Sequence, residues 1–176
     1  MSFPDSLIDA ATRGDVASVL RWLDEGGDPN ARNDSFDGSS VSLLDCAAFA
    51  GHATLVRELL ARGADPRSTD VTGWSAMHAA ASSESRVNPA AVVALLADAG
   101  ANVNARIERR VEYDSDGESY VVGGGNPPTP LMCAAERAVS VEVVRVLLSR
   151  GADIAATRDD GATAMEYALK APKLGA

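Results

Sequence analysis

A four-residue phrase returns along the chain as Gly26-Gly27-Asp28-Pro29, Gly63-Ala64-Asp65-Pro66, Gly100-Ala101-Asn102-Val103 and Gly151-Ala152-Asp153-Ile154. Each copy closes the same apolar helical pattern. A chain that repeats one supersecondary unit stacks its copies and shares a continuous core between neighbours, so its function is to be sought on a long exposed face. The equivalent residues Asp28, Asp65, Asn102 and Asp153 lie 37, 37 and 51 residues apart. A unit of about 33 residues has therefore been stretched by insertions, which loop outward and leave the neighbour interfaces intact.

Every copy begins with a short turn, runs through Leu/Met-x-x-Ala-Ala and a few polar residues, and ends in a Val/Leu-rich run before the glycine phrase. Ala47-Ala48, Ala80-Ala81 and Ala134-Ala135 place small side chains in a first short helix, which lets the next unit approach closely. In the second helix Leu55, Val56, Leu59 and Leu60 recur at the spacing of one helical stripe, as do Val143, Val144, Leu147 and Leu148. Both stripes are expected in the core. Gly63, Gly100 and Gly151 end the second helices, where a positive φ carries no side-chain penalty. Asp70 to Gly73 and Asp159-Asp160-Gly161 read as turns before the next unit.

Three segments carry a family signature: Gly73-Trp74-Ser75-Ala76-Met77-His78-Ala79-Ala80-Ala81, Thr129-Pro130-Leu131-Met132-Cys133-Ala134-Ala135, and Ala50-Gly51-His52 with Leu55-Val56 and Leu59 to Asp65. The chain resembles the ankyrin repeat family over nearly its whole length, residues 107–126 excepted. The resemblance implies units of two antiparallel helices with a projecting hairpin, a curved stack, and use as a protein-recognition scaffold. The expected class is all-α, an ankyrin-type α-solenoid with hairpin loops and an inserted β-hairpin near residues 107–126. Its units are expected at 3–34, 35–71, 72–107 and 127–159, with a partial cap at 160–173. The family's Thr-Pro-Leu-His start becomes Ser42-Leu43-Leu44-Asp45, Ser75-Ala76-Met77-His78 and Thr163-Ala164-Met165-Glu166, and losing the proline loosens the start of these helices. The first unit, with Asp9, Arg13 and Asp15 outward and Trp22 against the second unit, reads as the amino-terminal cap.

Three insertions individualise the chain. Residues 33–40 lengthen the first hairpin, 82–89 the turn between the third unit's helices, and 106–126 form the largest excursion. Within the last, Val111-Glu112-Tyr113 and Ser119-Tyr120-Val121-Val122 flank a turn centred on Asp116-Gly117, which predicts a hairpin followed by a Gly123-Gly124-Gly125 hinge. Asp114, Asp116 and Glu118 lack the remaining ligands of a calcium loop, so a solvated acidic tip explains them better.

A net charge of -9 disfavours a general phosphate-backbone binder and makes a basic protein surface the more compatible partner, with no nucleic acid and no membrane. Cys46 and Cys133 read as reduced, packed thiols. His52 and His78 match structural repeat positions, no motif positions an activated nucleophile, and no ligand cluster holds a metal, so neither enzyme activity nor a cofactor is expected. The amino end lacks a secretory signal and no run is long enough to cross a bilayer, which places the chain in the cytoplasm.

Hairpin tips and first helices should line the concave side. The candidate contacts are Arg32 and Phe36; Arg67, Asp70, Val71 and Trp74; Arg106, Tyr113 and Tyr120; Glu136 and Arg137; and Arg158. Trp74 is the leading anchor, because a large aromatic is desolvated at low entropy cost. Phe49 and Ser82 or Ser83 line the groove more weakly. The favoured function is an adaptor that binds a protein through this face, and the alternative is an inhibitor that occludes a partner's site with the inserted hairpin. Met165 and Leu169 in the short last unit leave self-association open.

Overall fold

The computed structural model describes residues 3–34, 40–70, 72–85, 87–107, 110–113, 119–122, 128–137, 140–158 and 160–170. Helices come in antiparallel pairs: α1 (Asp5–Arg13) with α2 (Val16–Asp24), α3 (Leu43–Ala50) with α4 (Ala53–Ala61), α5 (Ala76–Ala81) with α6 (Pro89–Asp98), and α7 (Pro130–Glu136) with α8 (Val141–Ser149). A further helix, α9 (Ala164–Lys170), follows. First helices pack in one row, α1 on α3, α3 on α5, α5 on α7 and α7 on α9, while α2, α4, α6 and α8 form a second row. The reason lies in the side chains. Ala47, Ala48, Ala80 and Ala81 are fully buried between first helices, and Leu55, Val56, Leu59, Val92, Val93, Leu96, Val143 and Leu147 fill the space between second helices. Leu148, expected in the core, is 41% exposed, because no described second helix packs on α8 from the side opposite α6.

The repeated phrase is one hydrogen-bonding device used four times. Gly26, Gly63, Gly100 and Gly151 adopt φ values of 97°, 90°, 92° and 89°. This left-handed turn lets the amides of Gly27, Ala64, Ala101 and Ala152 reach back to the carbonyls of Trp22, Leu59, Leu96 and Leu147. The next residue then turns the chain outward: Asp28, Asp65, Asn102 and Asp153 each accept, on the side chain, the amide two residues on. Trp22, expected against the second unit, meets Phe3 edge to face at 6.1 Å and lies over Gly27, both in its own unit. Gly14 marks a different constraint: a Cβ there would sit 2.6 Å from the His52 ring, whose Nε2 lies 2.8 Å from the Thr12 carbonyl oxygen.

Each outward arm returns by antiparallel pairing. In the first, β1 (Arg32–Asp34) pairs with β2 (Ser40–Ser42); the second and fourth are pinned by single bridges, Thr69 to Ser75 and Thr157 to Thr163. The inserted hairpin, β3 (Arg110–Tyr113) with β4 (Ser119–Val122), stands at the third arm. It is therefore an elongated version of the regular arm, and the helical arrangement acquires two short β-ribbons. Asp116-Gly117 at its tip and the Gly123 to Gly125 hinge lie outside the described residues.

The proline lost from the start of α3 is replaced by side-chain bonds. Ser42 and Asp45 form a reciprocal capping box, whereas Thr129 caps Met132 ahead of Pro130. Asp45 has a second duty. Its carboxylate, 6% exposed, accepts Arg32 Nη2 at 2.9 Å, and the same guanidinium donates to Ser40 and to Ser68 in the following arm. Burial pushes the Asp45 carboxyl above its usual range, and Arg32 with the Ser42 amide and hydroxyl pulls it back. Such a pair mostly offsets its own desolvation, so removing one partner is costlier than removing both. We predict that Arg32→Met and Asp45→Asn each destabilise by about 3 kcal/mol in urea unfolding, and that the double variant loses clearly less than their sum.

Candidate protein-binding surface

The side chains available to a partner are those that self-packing leaves over. Arg32 is spent inside, on Asp45, Ser40 and Ser68. Asp70 closes the second arm: its Oδ1 accepts the amides of Thr72 and Trp74 and the Thr72 hydroxyl. Glu136 and Arg158 pair at 2.8 Å, and the Arg158 guanidinium lies 4.3 Å above the centre of the Tyr167 ring, which ties the fourth arm to α7 and α9. Arg137 reaches Glu84 at 3.6 Å, with both side chains at least half exposed. Phe36 and Val71 lie outside the described residues, as do Asp114, Asp116 and Glu118. Tyr113 stands opposite Ser119 in the hairpin and Tyr120 opposite Glu112, so the two tyrosines are not cross-strand partners.

Trp74 is half-buried and stacks on His78, ring centres 5.3 Å apart and planes 29° apart. Its face covers the histidine. His78 itself is fully buried. Its Nε2 faces the Pro128 carbonyl oxygen at 3.3 Å and its Nδ1 faces the Ser75 hydroxyl at 2.9 Å. A carbonyl only accepts, so Nε2 carries the proton and Nδ1 accepts from Ser75. Burial drives the ring down to about 4, against the pull of the Pro128 and Ala105 carbonyls. The ring is thus a neutral strut between two units.

Phe49 is the large aromatic most open on the first helices, 47% exposed at the end of α3. Ser82 and Ser83, expected to line the groove, are buried at 1% and 2% exposure. The inserted turn folds in instead: Ser83 Oγ donates to the Phe49 carbonyl at 2.5 Å and Ser85 Oγ to the Ala50 carbonyl at 2.7 Å. Between the second and third arms opens a basin of about 830 Å³ whose lining includes Arg67, Thr69, Asn102, Asn104 and Arg106. Arg67 Nε donates to the Gly100 carbonyl at 2.9 Å, and Arg106 Nη1 to the Thr157 carbonyl at 3.2 Å. Asn102 and Asn104 were not expected there, although the place of Asn102 in the repeated phrase was visible. An apolar pocket of about 160 Å³ lies under α9, bounded by Leu131, Val144, Leu148, Ile154 and Met165.

Residues 7–107 match the family model for ankyrin repeats in three copies, and residues 129–159 match that for a single ankyrin repeat. The chain belongs to the ankyrin repeat family. The stretch between the two matches holds the β3–β4 hairpin, so the insertion interrupts the repeat pattern without breaking the helical rows. Ankyrin repeats generally mediate protein–protein interactions and act as non-catalytic scaffolds. Among the described residues no group of three or more His, Cys, Asp or Glu side chains could hold a metal ion. Burial pushes the Cys46 thiol up to about 12 and Cys133 to about 11, which suppresses their thiolates at neutral pH. No described helix is long and apolar enough to cross a membrane.

The His78 strut makes this ankyrin chain acid-sensitive. The unfolded ring titrates near 6.5 and the folded one near 4, so below 6.5 the unfolded state binds the extra proton. Stability is full above pH 6.5 and falls as pH drops towards 4, by about 3 kcal/mol from this residue alone. Urea unfolding at a series of pH values checks the slope, which His78→Gln should remove.

Proposed function

We propose that this chain is a non-enzymatic adaptor acting in the cytoplasm, its units stacked as a solenoid, which binds a protein segment along the row of first helices and the arms beside it. What supports the reading is Phe49. The aromatic is held at 47% exposure on a first helix whose own carbonyls are tied down by Ser83 and Ser85. An apolar ring on a rigid helix, with Trp74 on the next unit and the Arg137–Glu84 pair beyond, has the make-up of an anchor within a polar rim. Fixed backbone beneath the anchor lowers the entropy lost on binding.

The test is capture from native extract with the intact chain beside Phe49→Asp. Exposed substitutions away from packed features shift stability by about 0.5 kcal/mol or less, so the variant should melt as the parent does. Loss of the captured protein at an unchanged melting temperature is the expected result, and equal capture by the variant would remove this face from the proposal. The inhibitor reading draws on the antiparallel pairing of β3 with β4, which stiffens the third arm. Under it, deleting residues 109–123 abolishes inhibition of a captured enzyme while the melting temperature is kept.

A further inference from the structure

Asn30 and Asn104 do the same work at two junctions between neighbouring arms. Asn30 donates Nδ2 to the Gly63 carbonyl at 3.0 Å and accepts the Asp65 amide on Oδ1 at 2.7 Å. Asn104 repeats this on Gly151 and Asp153, at 3.0 and 2.8 Å. Each carboxamide is a two-way clamp on the next glycine phrase. At the junction between them the equivalent residue is Arg67, whose guanidinium has donors only. Its Nε takes over the bond to the Gly100 carbonyl, at 2.9 Å. The other half of the clamp is missing. The Asn102 amide, equivalent to those of Asp65 and Asp153, has no acceptor among the described residues.

Asn102 and Arg67 line one basin. Arg67 Nη2 lies 3.5 Å from the point a Cβ on Gly100 would occupy, and Arg106 lines the same basin. Among the described residues its lining includes Arg67 and Arg106 and no acidic side chain, on a chain whose net charge is -9. We propose that the basin is a carboxylate subsite, taking an Asp or Glu side chain from an extended acidic segment of the protein partner. One carboxylate oxygen accepts the Asn102 amide, as the asparagine oxygens do at the flanking junctions, and the carboxylate pairs with Arg67. Carboxylate is the planar counterpart of the absent carboxamide and matches the fork of a guanidinium, which favours it over a tetrahedral phosphate. The inference rests on the protein-binding reading and deepens it, and it reverses the expectation of a basic partner surface at this point.

The probe is a capped hexaglutamate peptide, titrated into the full ¹⁵N-labelled chain at low salt with hexalysine and inorganic phosphate as separate arms. A saturable shift of the Asn102 amide with hexaglutamate alone is expected. Arg67→Asn should abolish that shift and raise the melting temperature by about 2–4 °C, because the new carboxamide closes the clamp. Arg67→Ala should abolish the shift without the rise, which separates loss of the cation from repair of the junction. No saturable shift, an equal shift in Arg67→Asn, or a preference for phosphate or hexalysine would overturn the proposal. Because Phe49 lies on the first-helix row, capture that depends on Phe49 would survive such a failure, and only the acidic subsite would fall.

Discussion

Close contact between consecutive first helices depends on side chains too small to hold them apart. Ala47, Ala48, Ala80 and Ala81 are all fully buried there, and the larger Leu43, Met77 and Leu131 are buried beside them. Interiors pack at crystal-like density, so a bulkier residue at these alanines would have to displace a helix. Every other feature inherits that spacing. It places the second helices near enough to share a valine and leucine core, and it sets each glycine phrase within reach of the arm before it.

The arms convert this spacing into connected structure. Four copies of one glycine turn send the chain outward, and side chains at equivalent positions, Asn30, Arg67 and Asn104, fasten each arm to the next phrase. Insertions are absorbed without disturbing the rows, because each lies on the arm side or in the turn between paired helices. The 82–89 segment shows how: its serines bond back to the carbonyls at the end of α3. Of these three, Arg67 departs from the asparagine pattern, and it does so where the basin between the second and third arms opens.

Several charged residues that stand out in the sequence are consumed by the fold. Arg32, Asp70 and Arg158 each make bonds that hold an arm or join it to a helix, which reduces what they can offer a partner. Phe49 has the opposite history. Expected only as a weaker groove position, it projects half-exposed from the end of α3 at a position equivalent to Glu136. Exposure of that kind depends on what the neighbouring unit presents, which a single unit's pattern does not contain.

Local periodicity was enough to establish the repeat, the helix pairs, the glycine turns and the hairpin near residues 110–122. Each of these rests on backbone preference and on spacing within a few residues, and such information is carried by the chain itself. The partners of the side chains were decided only by stacking. Whether Ser83 lines a groove or ties down a turn depends on carbonyls 34 residues away, and the Arg32–Ser68 bond likewise requires adjacent arms. The open Asn102 amide is the clearest case: the equivalence of Arg67 to two asparagines was legible, but a donor without an acceptor exists only once adjacent units meet, because hydrogen bonds and burial are set by distance in space.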